Sequence, residues 1–215
     1  WYFYPNVNFY QPHRTFYYRS TDSGLLLNKN SSSENCNVIV LGGGAAGLMC
    51  ALTAAQRGHH VIVLEKANQI GKKILMSGGG RCNFTNHSVE PENFLSANPH
   101  FCKSALSCYT QWDFIKLVEK HGISFEERKH QQLFCKESAS QILAMLENEC
   151  IQAGVTIHTH CEINSIIPLL ADDSADKRYQ LDYSQIGKTP IQQAMLLCDS
   201  LVVATGGLSV PTLGG

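Results

Sequence analysis

The residues best placed to do chemistry stand between positions 42 and 86. Gly42, Gly44 and Gly47 fit G-x-G-x-x-G, and they follow the apolar run Val38 to Leu41, long enough for a buried strand. A helix-compatible stretch, Ala45 to Gln56, begins inside the motif. In this setting each glycine has a physical job. Gly42 allows a tight turn out of the strand, Gly44 lets the backbone approach a pyrophosphate, and Gly47 lets the helix pack closely on the strand. The helix N-terminus then directs unpaired N–H groups and a partial positive charge at the phosphates. A second apolar strand, His60 to Leu64, ends in Glu65, 23 residues beyond Gly42. A carboxylate at that spacing accepts hydrogen bonds from both hydroxyls of a ribose and repels a 2′-phosphate. Strand, glycines, helix, strand and acid occur in the order a dinucleotide site requires.

The second informative stretch is residues 70–86. Three consecutive glycines, Gly78 to Gly80, stand near Lys72, Lys73 and Arg81. Such a loop is flexible and cationic, and it can lay its backbone against a planar or anionic ligand. Later in the chain, Leu201 to Ala204 reads as a buried strand running into Thr205-Gly-Gly207, a second close backbone approach at the carboxyl edge of a parallel sheet. Other reactive residue types carry less. His158 and His160 share one face of a strand-like segment, but no acid or thiol nearby completes a metal set, so they read as exposed strand histidines and no metal is expected. The nine cysteines are scattered and odd in number, with no C-x-x-C pair. They read as buried thiols in a reducing compartment, not as a disulfide framework.

These groups must be positioned by a globular α/β unit. The chain has 215 residues, 44% apolar content and a formal net charge of −1. No strong field draws it to nucleic acid or membrane, and no apolar run approaches the ~20 residues of a membrane helix. Residues 1–35, aromatic-rich and then Ser-rich, read as a poorly ordered N-terminal extension without a secretory signal. Residues 36–215 read as one domain with a parallel central sheet. Within it, Phe101 to His121 predicts one or two helices ending near Gly122, and Gln132 to Cys135 a short strand. Ser138 to Ala153 predicts an amphipathic helix opened by a Ser138–Gln141 capping box. Residues of about 155–200 predict an inserted β-meander.

Four stretches together carry a family resemblance: Val38 to Gly47, Leu64-Glu-Lys66, Gly71 to Asn86, and Val202 to Gly207. They resemble the two-dinucleotide-fold flavoproteins, and more narrowly the bacterial NAD(P)/FAD-dependent oxidoreductases of the aminoacetone-oxidase type. Relatives of these reduce unsaturated bile-acid intermediates. The most specific part is Ser77-Gly-Gly-Gly-Arg-Cys-Asn83. The resemblance implies a Rossmann-like FAD-binding domain. Gly42, Gly43, Gly44, Ala45, Ala46 and Gly47 would hold the pyrophosphate, and Glu65 the adenosine ribose, with Lys66 beside it. Lys73, Ser77, Gly78, Gly79, Gly80, Arg81, Cys82, Asn83, Thr85 and Asn86 would run along the flavin side. Ile163 matches the strand position whose backbone meets the adenine, and Ala204, Thr205 and Gly206 would close over the dinucleotide. The family pattern implies that a substrate domain follows the Ala-Thr-Gly-Gly strand, so the chain reads as truncated before it. Gln132-Leu-Phe-Cys135 departs from the Gly-Arg-x-Phe-Pro-like turn of many relatives.

The expected function is therefore the FAD-binding portion of a flavin-dependent oxidoreductase, cytoplasmic, acting on a small molecule with NAD(P)H as electron partner. Arg81 is the candidate for stabilising negative charge on the pyrophosphate or the reduced flavin, and Cys82 reads as a packing residue. No side chain stands out as a general acid or base. A nicotinamide-only dehydrogenase and a non-catalytic nucleotide-binding fragment are the alternatives. With a net charge of −1 and no basic stripe, no nucleic acid and no membrane partner are expected.

Overall fold

The computed structural model describes residues 34–169, 177–187 and 191–207. The main sheet begins with β1 (Glu34–Leu41), α1 (Ala45–Gln56) and β2 (Val61–Leu64). Next come α2 (Lys72–Met76), a 3-10 turn at Ser77–Gly80 and β3 (Asn83–Asn86). Then α3 (Lys103–Cys108), α4 (Gln111–Lys120), β4 (Phe125–Glu127), β5 (Gln132–Cys135) and α5 (Ala139–Gln152) follow. The chain returns through β6 (Thr156–His158), β7 (Cys161–Pro168), β8 (Tyr179–Gln185) and β9 (Gln192–Val203). The six-stranded sheet has the order β6-β2-β1-β9-β8-β7, and β3-β5-β4 form a small antiparallel sheet.

β1 and β2 are buried on both faces because each face has its own cover. Val38, Val40, Val61 and Val63 point into a core with Leu48 and Leu52 of α1 and Met145 and Leu146 of α5. Their neighbours Ile39, Leu41, Ile62 and Leu64 point the other way, into a cluster with Leu181, Tyr183 and Leu196 from the returning strands. The continuous apolar runs at 38–41 and 61–64 are thus two alternating faces, both filled.

The structure refines the sequence expectation in four places. Glu34 and Asn35, placed in the N-terminal extension, are the first residues of β1 and pair with Leu196 and Leu197; the rest of that expectation lies outside the described residues. The meander starts at β7, since β6 pairs in parallel with β2 as an edge of the central sheet. The strand expected at 201–204 is the end of the twelve-residue β9. Leu196, Leu197 and Cys198 of β9 pair with β1 on one side and β8 on the other, so meander and parallel sheet are one continuous surface. His160 is not a strand residue; it sits at φ 58 in the turn before β7.

Helix ends follow local chemistry. Thr110 caps α4 by a capping box with Asp113, whose carboxyl is held below its usual range by hydrogen bonds from Thr110. Ser138 caps α5 by accepting from Ser140 N at 3.2 Å. The expected Ser138–Gln141 box does not form: the Ser138 hydroxyl takes the Ser140 amide, Gln141 Nε2 donates to Glu137 Oε2, and Gln141 Oε1, the acceptor a box needs, is buried without a hydrogen-bond partner among the described residues. α4 and α5 are tied through one buried carboxylate: Glu149 Oε1 accepts from Lys120 Nζ at 2.7 Å and lies 2.7 Å from His121 Nε2.

Two stability predictions follow from these contacts. A Cβ on Gly47 would stand 1.9 Å from the Gly42 carbonyl oxygen. Gly47→Ala is therefore expected to destabilise the fold by about 4 kcal/mol or more, the range of exceptional single substitutions; an unchanged denaturation midpoint would show that α1 does not sit this close. The Lys120 and then the His121 hydrogen bonds hold the Glu149 carboxyl below its usual range. A carboxyl whose pKa is lowered by folding stabilises above its ordinary pKa, and that contribution is lost as pH falls through the folded value. Glu149→Gln should cost about 1–3 kcal/mol at neutral pH and narrow the difference from wild type in acid, measured by urea midpoints at both.

Candidate functional site

A cleft of about 1300 Å³ opens along the carboxyl ends of β1, β2 and β9. Its floor is the turn from β1 into α1. Gly42 adopts φ +103, and a Cβ there would lie 2.5 Å from the carbonyl oxygen of Ala204. Gly42 N donates to Leu64 O at 2.8 Å and Ala204 N to Leu41 O at 2.8 Å, so three strand ends meet at this glycine. Gly44 is the N-cap of α1 and lines the cleft; no side chain caps the helix, and the space where its Cβ would stand is open. The first-turn amides of α1 are thereby presented to whatever enters.

Glu65 lies beside this turn and is held by backbone alone. Its Oε2 accepts from Gly43 N at 2.7 Å and its Oε1 from Ala67 N at 2.8 Å. Each oxygen keeps a further lone pair for a hydroxyl in the cleft. Lys66 forms an exposed pair with Glu162 at 3.1 Å. Lys73 Nζ donates to Gly207 O at 2.6 Å, which joins α2 to the backbone beyond β9.

Sixteen of the sequence-derived residues line this one cleft: Gly42, Gly44, Ala45, Ala46, Glu65, Lys66, Lys73, Ser77, Cys82, Asn83, Thr85, Asn86, Ile163, Ala204, Thr205 and Gly206. Gly43 and Gly47 stand behind it, Gly43 as the donor to Glu65 and Gly47 as the contact between α1 and the turn. Gly78, Gly79, Gly80 and Arg81 are outside the lining. Arg81 is exposed, and its Nη1 donates to the Lys136 carbonyl. Cys82 is buried, and burial pushes its thiol up, against a smaller downward effect of the Ser77 hydrogen bond. A thiol kept protonated in this way suits packing better than redox chemistry. Gln132, at the point where the sequence departs from the family turn, also lines the cleft.

One side of the cleft had no sequence signal. Val89, Phe94, Leu106, Tyr109, Thr110, Gln111 and Phe114 form it. Leu106 to Phe114 fall in the stretch whose sequence predicts one or two helices, and no motif separates an aromatic that lines a cleft from one that fills a core.

Comparison with known proteins fits this geometry. The chain is 48% identical over 181 residues, 84% of its length, to the ribosomal RNA dihydrouridine synthase of Escherichia coli (strain K12), and 48% identical over 182 residues, 85%, to that of Haemophilus influenzae. It spans 42% of the length of each of these curated relatives. The 3-ketosteroid-delta4-(5alpha)-dehydrogenase of Rhodococcus jostii RHA1 superposes with a TM-score of 0.59 at 15% identity, covering 84% of this chain and 48% of that one, which establishes a shared fold. The relatives correct one expectation: an absence of nucleic acid does not stand, because the two bacterial relatives are named for action on ribosomal RNA. A net charge summed over the chain carries no information about local charge. No helix among the described residues is long and apolar enough to cross a membrane. The Rossmann domain model of the HI0933-like proteins matches residues 36–215, and the chain belongs to that family.

Proposed function

We propose that this chain is the FAD-holding part of a flavin-dependent oxidoreductase that saturates a carbon–carbon double bond in a pyrimidine of RNA, with NAD(P)H as the electron donor. The observation that carries this reading is the joint presence of the glycine turn, the pinned Glu65 and the residues Ser77 and Cys82 to Asn86 on one cleft, in a chain 48% identical to ribosomal RNA dihydrouridine synthases. The residues fit a dinucleotide. The open space at Gly44 and the uncapped α1 N-terminus suit a pyrophosphate, and the pinned carboxylate of Glu65 suits a ribose.

Each part of the site then has a role. Gly44, Ala45 and Ala46 present the first turn of α1 to the pyrophosphate, while Gly42, Gly43 and Gly47 shape the turn behind them, the Gly42 and Gly43 amides being bonded to Leu64 and Glu65. Glu65 orients the ribose, with Lys66 beside it. Ser77, Cys82, Asn83, Thr85 and Asn86 border the flavin, Ile163 the adenine, and Ala204, Thr205 and Gly206 close the cleft. Lys73 holds the closing segment in place through Gly207. FAD supplies hydride chemistry at the isoalloxazine, while the protein binds, orients and tunes it. Conversion of uridine to dihydrouridine adds one hydride and one proton across C5=C6, so a reduced flavin is a chemically sufficient donor. Arg81, bonded to the Lys136 carbonyl, belongs to the support of the Ser77–Asn86 stretch.

Two measurements test this. The full-length protein, expressed in an Escherichia coli strain lacking its ribosomal RNA dihydrouridine synthase, should restore dihydrouridine to ribosomal RNA, read by nucleoside mass spectrometry; an expressed, folded protein that restores none contradicts the substrate. Glu65→Ala should weaken FAD binding about ten- to a hundred-fold, the size of a lost charged hydrogen bond. Flavin fluorescence titration checks it, and an unchanged affinity would remove Glu65 from the site.

A further inference from the structure

Residues 88–109 leave the body of the fold after β3 and return at Thr110, the N-cap of α4. The two ends of this excursion are tied together. Gln111 Nε2 donates to His87 O at 3.0 Å, and His87 N donates to Gln131 O at 3.0 Å. Between the ends the hydrogen bonds are local. Asn93 N donates to Glu90 O at 3.0 Å, Phe94 N to Pro91 O at 3.1 Å, Lys103 N to His100 O at 3.2 Å and Leu106 N to Cys102 O at 2.9 Å. Cys102, the one buried residue of the segment, also turns inward, its Sγ donating to Pro91 O at 3.9 Å. Among the described residues, no hydrogen bond or ion pair joins 89–109 to another part of the fold.

The packing is as self-contained as the hydrogen bonding. Neither hydrophobic cluster takes a residue from 88–109, and α3 has no buried residue. Val89, Phe94 and Leu106 are half-buried, and they line the cleft. Leu95, next to them in the chain, is 87% exposed. Moving such a segment breaks no hydrogen bond to the core and uncovers little of it. Regions with few buried apolar contacts open at low cost, and active-site lids are drawn from them. What the inner side gains on closing is burial of its apolar groups against the occupant of the cleft. The cleft, at about 1300 Å³, exceeds the ~300–1000 Å³ of a usual small-molecule site, which leaves room for inward movement.

We propose that residues 88–109 are a lid, hinged at His87–Ser88 and at Tyr109–Thr110, that closes over the cleft when the dinucleotide is bound and shields its flavin end from water. This rests on the reading of the cleft as an FAD site and is independent of which substrate the flavin reduces. The first hinge follows Asn86, which lines the cleft beside the proposed flavin. The Gln111–His87 bond holds the two hinges together, so the lid swings as one piece. Val89, Phe94 and Leu106 are the groups that close on the cofactor, and the water they exclude is kept from the reacting end.

The test uses the full-length protein, stripped of flavin and reloaded with FAD. Lys103 is exposed and is the single Lys or Arg within 88–109, so trypsin reports on the segment directly. Cleavage at Lys103, and amide exchange across 88–109 read by mass spectrometry, should slow about tenfold or more on FAD loading, the size expected from burying one large apolar side chain. Phe94→Ser should remove most of that protection in the FAD-loaded protein, and iodide should then quench the flavin more strongly than in the wild type. Equal rates in FAD-free and FAD-loaded wild type, a comparison that needs no variant to fold, overturn the lid. An equal slowing in β8 marks general stabilisation and overturns it too, as does FAD-loaded Phe94→Ser protein that matches the wild type in protection and quenching. A wild type that takes up no FAD overturns the reading of the cleft and the lid together.

Discussion

Three backbone segments meet at Gly42 with no room for a side chain, and the rest of the structure depends on that contact. The carbonyl of Ala204 approaches from β9, the amide of Gly42 is bonded to Leu64 of β2, and Gly47 of α1 presses on the Gly42 carbonyl. A Cβ at either glycine would separate two of the elements. The same closeness aligns the ends of β1, β2 and β9 and aims α1 at the space between them. Glu65 is part of this arrangement, since one of its oxygens is bonded to the amide of Gly43 in the turn itself. The floor of the cleft is thus a by-product of how strand ends are packed, with few side chains needed to shape it.

β9 connects this point to the remainder of the fold. Its first half is the last strand of an antiparallel meander and its second half a central parallel strand beside β1. The meander residues Leu181 and Tyr183 therefore cover the face of β1 and β2 that α1 and α5 leave open. A parallel sheet needs cover on both faces, and here one face is supplied by helices and the other by the sheet's own continuation. Ala204, which closes on Gly42, is held in register by this long strand.

Much of this was legible in the sequence because it depends on local spacing. The glycines, the apolar runs and Glu65 act over short stretches of chain, so their pattern reports their geometry. What was not legible depends on distant partners. The dual role of β9 is a matter of which strands flank it, and nothing in Gln192–Val203 states that. Gln141 has the spacing of a capping box, but its Nε2 turns to Glu137 and its Oε1 does not reach the Ser138 amide. Arg81 stands beside three glycines in sequence, yet it lies outside the cleft lining and its Nη1 donates to the carbonyl of Lys136, 55 residues on. Leu106, Tyr109 and Phe114, which line the cleft, lie in a stretch that reads simply as helix, and a net charge of −1 pointed away from nucleic acid although two relatives are named for action on ribosomal RNA.

The central claim is that the glycine turn and Glu65 cradle FAD. Its most direct measurement is the visible absorption spectrum of the purified full-length protein, with chromatographic identification of whatever is released on denaturation. The two bands of an oxidised flavin, passing to free FAD in about one equivalent per chain, are the predicted result. Release of a nicotinamide dinucleotide instead, or a colourless protein that takes up no added FAD, would contradict it.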